Sequence, residues 1–290
     1  MKRRHGPSPG IAPRRQSNWD WRAATNFICG GAGGALLFWT PLAVLRIGNA
    51  PVLFIVGLTL VATGLVCVWF EIGRPWRALN VFRNATSSWM TRESLVAPVL
   101  FLFGAIAVLT GGVAAVWLCG LAGGAFLYSQ ARILAADKGI PAWRHRYCVP
   151  LVVVTNLTEG VALVCIATMF FPDLLAAGGL LAALVVVRVI AWHVYLVGLT
   201  RDRIPQGSLT ALQGIDVRFV WLGNVVPGIL AGLGCAVVSS LVVAIAGIVA
   251  LAAGWWFKST LVRKAAFTQG FAIPHLPVRG RAVKPEWGGT

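Results

Sequence analysis

Chemistry-bearing side chains concentrate in one segment of this sequence. It reads Glu71-Ile72-Gly73-Arg74-Pro75-Trp76-Arg77-Ala78-Leu79-Asn80, then Val81-Phe82-Arg83-Asn84, then Ser88-Trp89-Met90-Thr91-Arg92-Glu93. The segment 71–93 holds two carboxylates, four arginines and two tryptophans. Tryptophan and arginine beside an apolar run are ordinary membrane-interface anchors, which accounts for Trp76, Arg77 and Arg83 without chemistry. Glu71 and Glu93 are harder to dismiss. Each stands at the end of an apolar run, where a partly desolvated carboxylate either exchanges a proton or pairs with a neighbouring arginine, and the residue types leave both open. Glu159, Arg188 and His193 lie inside apolar runs, where ionisable groups are expensive enough to be functional candidates. Asn156, three residues before Glu159, shares its helix face. Glu159 belongs either to a buried ion pair or to a proton path, and Arg188 either neutralises it or faces a ligand. His193, beside Trp192 and Tyr195, either hydrogen-bonds a ligand or makes a polar contact between helices.

The elements that position these groups follow from composition. A chain of 290 residues that is 58% hydrophobic and 12% charged, with mean hydropathy +0.78, is too apolar for a water-soluble domain. The net charge of +16 would invite a nucleic-acid reading in a soluble protein, but here the charges sit between long apolar runs. Crossing ~30 Å of hydrocarbon takes ~20 apolar residues as helix. Dividing the chain where charge or Pro/Gly interrupts such runs gives eight spans, at 23–45, 50–70, 94–116, 119–136, 148–171, 174–199, 216–233 and 236–257. The expected fold is an all-α integral membrane protein, an eight-transmembrane-helix bundle. With that count, all but two of the 25 Lys and Arg residues fall on one side, the exceptions being Arg46 and Arg188. Basic residues accumulate on the cytoplasmic side, so both termini are expected to be cytoplasmic, with tails 1–22 and 258–290 flanking a membrane domain 23–257. The last pair of spans is the closest decision. A single crossing there would put Lys258, Arg263 and Lys264 outside.

Several other features narrow the reading. The six cysteines are scattered singly, without C-x-x-C or metal-ligand spacing, and read as packing residues. The basic, Pro-rich start has no h-region with a cleavage site, so no cleaved signal is expected. Gly30/Gly34, Gly120/Gly124 and Gly228/Gly232 have the spacing that permits close helix approach, mostly within the molecule. On the cytoplasmic side, Trp19, Trp21, Arg22, Trp143, Arg144 and Arg146 are candidates for partner docking, while basic loops also simply obey the orientation rule or touch anionic lipid.

Gly73-Arg74-Pro75 with Arg77-Ala78-Leu79-Asn80, and Ser88-Trp89-Met90-Thr91-Arg92-Glu93, resemble the signature between the second and third helices of the membrane anchor subunits of dimethyl sulfoxide reductase-type enzymes. Asn18-Trp19-Asp20-Trp21-Arg22-Ala23-Ala24 followed by Gly30-Gly31-Ala32-Gly33 looks more specifically like the membrane subunit of phenylacetyl-CoA:acceptor oxidoreductase. The resemblance implies an anchor in a prokaryotic cytoplasmic membrane. It would hold an iron-sulfur electron-transfer subunit and, beyond it, a molybdopterin catalytic subunit on the cytoplasmic side, and exchange electrons with menaquinone or ubiquinone. By motif match Glu93 corresponds to a family carboxylate associated with quinol chemistry. Many anchors have His where this chain has Glu71, before Ile72-Gly73-Arg74-Pro75; a carboxylate can relay the same protons. Glu71, Glu93, Arg74, Arg77 and His193 are therefore the quinone and proton-transfer candidates. The resemblance favours substrate oxidation of the phenylacetyl-CoA type with quinone reduction, and the substrate chemistry belongs to a partner. No haem is expected, because of the four His only His193 lies in a span, and no metal centre is expected in this chain. Two rivals are a secondary transporter, with Glu159, Arg188 and His193 along its path and matching helix breaks in both halves, and a purely structural anchor without a quinone site.

Overall fold

The computed structural model describes residues 10–71, 81 and 88–272. Eight helices in it are long and apolar enough to cross a membrane: α1 Trp21–Ile47, α2 Pro51–Glu71, α3 Trp89–Thr110, α4 Val113–Ala136, α5 Cys148–Ala167, α6 Pro172–Arg201, α7 Gln206–Ala236 and α8 Ser240–Arg263. The chain is a multi-pass, helical membrane protein. All eight expected spans are present, with three boundaries moved in ways that matter. α3 starts at Trp89, so Glu93 sits inside its first turns. α7 starts at Gln206, well before the expected start at Asp216, so Asp216 and Arg218 lie inside the helix rather than at its end. α8 runs to Arg263, so Lys258, counted with the tail from sequence, lies inside the bundle.

Local chemistry explains the helix ends. Asp20 caps α1 by accepting from the Arg22 amide at 2.7 Å, Ser88 caps α3 through the Thr91 amide, and α3 stops at Gly111, whose φ of 64° suits glycine. Two helices are not regular throughout. Asn26–Gly30 in α1 and Trp221–Val225 in α7 are π-helical turns, which release carbonyls from the usual i to i−4 ladder.

α1 and α5 form the centre. The most apolar stretch of α1 is 67% buried and that of α5 61%, against 28% for α2, α3 and α6. In lipid, close approach rather than water exclusion drives such packing. A Cβ added at Gly123 of α4 would lie 2.5 Å from the Gly34 carbonyl oxygen of α1, and one at Gly160 of α5 would lie 2.5 Å from the Ala35 backbone. Of the expected glycines, Gly34 meets α4 and Gly120 packs on Pro41, where a Cβ would lie 2.6 Å from its ring, whereas Gly232 faces open space; Gly123, not among those expected, makes the closest backbone approach of α4 to α1. At one end of the bundle two described segments meet: β1 (Gly10–Ile11) pairs antiparallel with β2 (Phe271–Ala272).

Candidate functional site

Three buried polar groups interrupt the apolar interior, and the π-turns organise two of them. The first centres on Glu93, which is 6% exposed. The Asn26 and Gln130 side chains act on its carboxyl, and the Gln130 amide donates to the Asn26 carbonyl at 3.1 Å. Glu93 Oε1 and Gln130 Oε1 are buried and accept no hydrogen bond among the described residues. Such orphaned acceptors are unusual, because burying one without a donor costs about 1–3 kcal/mol. Around the Glu93 segment, the Trp89 ring receives the Arg92 guanidinium at 4.2 Å and the Arg132 guanidinium at 4.8 Å, with Tyr128 edge-on at 5.7 Å. Gly30 makes room for this group, since a Cβ there would lie 2.3 Å from the Gln130 amide nitrogen.

The second group lies across α1. The Lys258 ammonium, 1% exposed, forms an ion pair with Glu159 and donates to Asn156 Oδ1 at 3.1 Å and to the carbonyls of Phe27 and Ile28 at 2.8 and 3.2 Å. Those carbonyls are available because the chain is π-helical there. Glu159 Oε1 has no donor among the described residues. The shared face of Asn156 and Glu159 read from sequence is thus real, but the cation on it is Lys258 of α8, not Arg188. Sequence reasoning missed Lys258 by assigning it to the tail. The signal was Leu261-Val262, apolar residues that continue the run past it.

Arg188 organises the third group. Fully buried, it donates to Asn224 Oδ1 at 2.5 Å, the Gly223 carbonyl at 2.6 Å and the Ala250 carbonyl at 3.3 Å, with its guanidinium 5.4 Å from the Phe219 ring. Asn224 and Gly223 come from the π-turn of α7, and Ala250 from α8. It acts electrostatically on Glu159 without forming an ion pair.

The remaining candidates scatter. His193 is exposed on the outer face of α6, its Nδ1 2.9 Å from the Val189 carbonyl of its own helix, and it is not brought to Glu93. Glu71 ends α2 near the Asp20–Arg22 pair (3.0 Å), whose guanidinium also donates to the Phe70 carbonyl. That guanidinium holds the Asp20 carboxyl below the usual carboxylate range. Arg74 and Arg77 lie outside the described residues. Trp143, expected at a docking surface, is 1% exposed; its indole donates to the Leu261 carbonyl at 3.0 Å and its ring stacks on Trp19 at 4.8 Å. These two tryptophans fasten the loop and the N-terminal segment to α8, because an apolar ring with one donor is most stable where both are satisfied. Trp21, Arg144 and Arg146 are exposed, and Arg22 is half-buried. Among the described residues, no three His, Cys, Asp or Glu side chains converge as a metal site requires.

No family model matches this chain, and no curated protein sequence matches it.

Proposed function

We propose that the chain is the membrane anchor and quinone-reactive subunit of a multi-subunit molybdopterin oxidoreductase, with the quinone head bound at Glu93. The observation that carries this reading is the pair of buried, unpartnered acceptors, Glu93 Oε1 and Gln130 Oε1. A quinol brings hydroxyl donors to such acceptors, and a protonated Glu93 would offer a donor to a quinone carbonyl. Reduction of quinone to quinol takes two electrons and two protons. Glu93 would pass protons while the electrons come from an iron-sulfur partner. The sequence resemblance supplies the partners, their molybdopterin and iron-sulfur groups, the cytoplasmic orientation and the direction toward quinone reduction, of the phenylacetyl-CoA type. Of the other candidates, Glu71, Arg74 and Arg77 adjoin Glu93 in sequence, and His193 plays no part.

The test is Glu93→Gln in the intact complex, which keeps the shape and removes proton exchange. Menadiol is mixed anaerobically with the oxidised complex and bleaching of the iron-sulfur absorbance is followed. The rate is expected to fall by about 10²–10⁴-fold, the range for loss of a general acid–base group, with subunit composition unchanged. An unchanged rate would mean a structural anchor instead.

One observation favours a second reading, a secondary transporter: α1 and α7 each carry a π-turn whose carbonyls face a buried cation. Irregular backbone in spans often lines a path. Both cations are already held by protein partners, Lys258 by Glu159, Asn156 and two carbonyls and Arg188 by Asn224 and two carbonyls, which ranks this reading second.

A further inference from the structure

The end of the bundle where β1 and β2 pair carries a large cleft whose lining includes none of the Glu93 group. Its walls are the loop 141–146, the end of α6 with the turn into α7 at 198–206, and the strand-flanking residues 11–13 and 269–270, enclosing about 1360 Å³. Four arginines line it, Arg144, Arg146, Arg201 and Arg203, against one carboxylate, Asp202. That carboxylate is occupied by His145 Nε2 at 3.2 Å. Arg144 is tied to the Lys138 carbonyl and Gln269, and Arg146 lies over the Tyr147 ring at 4.7 Å. Arg201 and Arg203 are exposed, and their side chains make no hydrogen bond or ion pair among the described residues. Arg203, at φ 50°, closes the C-terminal end of α6, with the Ile204 amide bonding back to the Leu199 carbonyl at 3.3 Å. The wall is rigid. A Cβ at Gly198 would lie 2.5 Å from the His145 ring, so the loop is pressed directly against α6.

We propose that this cleft receives an acidic segment of a water-soluble protein partner. Guanidinium groups match carboxylates in geometry and charge. The volume exceeds the roughly 300–1,000 Å³ of small-molecule pockets and suits an extended peptide. The chain's own ends have the wrong sign: residues 273–290 carry Arg279, Arg281 and Lys284 against Glu286 alone, and residues 1–9 carry Lys2, Arg3 and Arg4 and no acid. The inference rests on the proposed function only in placing a soluble partner at this face. The test uses the full chain in phosphatidylcholine nanodiscs and a fluorescein-labelled decaglutamate peptide, read by anisotropy at low salt. Arg201→Gln/Arg203→Gln is compared with Arg263→Gln/Lys264→Gln, an equal loss of exposed charge outside the cleft, both checked for an unchanged melting midpoint. Saturable binding, weakened at least tenfold by the first pair and less than twofold by the second, is the expected result. No binding, or equal weakening by both pairs, overturns the proposal. Stronger competition by glycerol phosphate than by unlabelled peptide also overturns it and assigns the cleft to lipid headgroups. The assay does not read quinone chemistry. If the peptide fails to bind while iron-sulfur and molybdopterin subunits still co-purify, the cleft is refuted and the anchor reading stands.

Discussion

Lys258 and Glu159 form an ion pair in the middle of the protein, and their value depends on both being present. Removing one partner of a buried pair leaves an uncompensated charge and destabilises by about 3–5 kcal/mol, whereas replacing both with apolar residues is often neutral. Lys258→Met is therefore expected to lower the thermal midpoint of the detergent-solubilised protein sharply. Adding Glu159→Leu should restore most of the loss; no restoration would mean that Lys258 acts mainly through Asn156 and the α1 carbonyls. A second prediction concerns His145. Burial holds its imidazole below the usual range, outweighing the opposing pull of Asp202. The folded state then takes up fewer protons than the unfolded one, so the stability from a neutral His145 is complete above about pH 6.5 and is lost as the pH falls. The melting midpoint should drop between about pH 7.5 and about pH 5.5, and His145→Gln should reduce that drop. At this scale the sequence was a partial guide. Glu159 and Arg188 are visible as charges inside apolar runs and Glu93 as one at the end of a run, but Asn26 and Gln130 are neutral side chains whose importance arises only when α1, α3 and α4 converge.

At the scale of elements, helix count was legible because apolar run length gives eight spans and the placement of Lys and Arg favours two helices over one in the last pair. Helix interiors were not. Nothing in the composition of 26–30 or 221–225 marks a π-turn, because the extra residue is accommodated by tertiary partners, Lys258 in one case and Arg188 with Asn224 in the other. Glycine spacing had the same weakness: it names residues that permit close approach without showing which are used. Gly123→Val should lower the melting midpoint strongly, since its side chain would meet the Gly34 carbonyl. Gly232→Ala meets nothing and should leave the midpoint unchanged or raise it, by up to about 1 kcal/mol of helix propensity. Equal sensitivity at both positions, measured by thermal unfolding in the same detergent, would contradict the packing described.

For the whole molecule, the paired segments β1 and β2 and the arginine-lined cleft lie together at one end of the bundle, while Glu93 lies buried in the first turns of α3. The proposed electron-transferring anchor is consistent with that arrangement and rests on the sequence resemblance in 73–93; of that segment's arginines the described residues include Arg92, over the Trp89 ring, whereas Arg74, Arg77 and Arg83 lie outside them. The most direct measurement is mild-detergent purification of the tagged full chain from its native membrane, with mass spectrometry of co-eluting proteins and molybdenum and iron analysis of the same fraction. The account predicts an iron-sulfur protein and a molybdopterin protein eluting with the chain, with both metals in fixed ratio to it. A chain that elutes alone and metal-free under several gentle conditions would contradict it and bring the transporter reading forward.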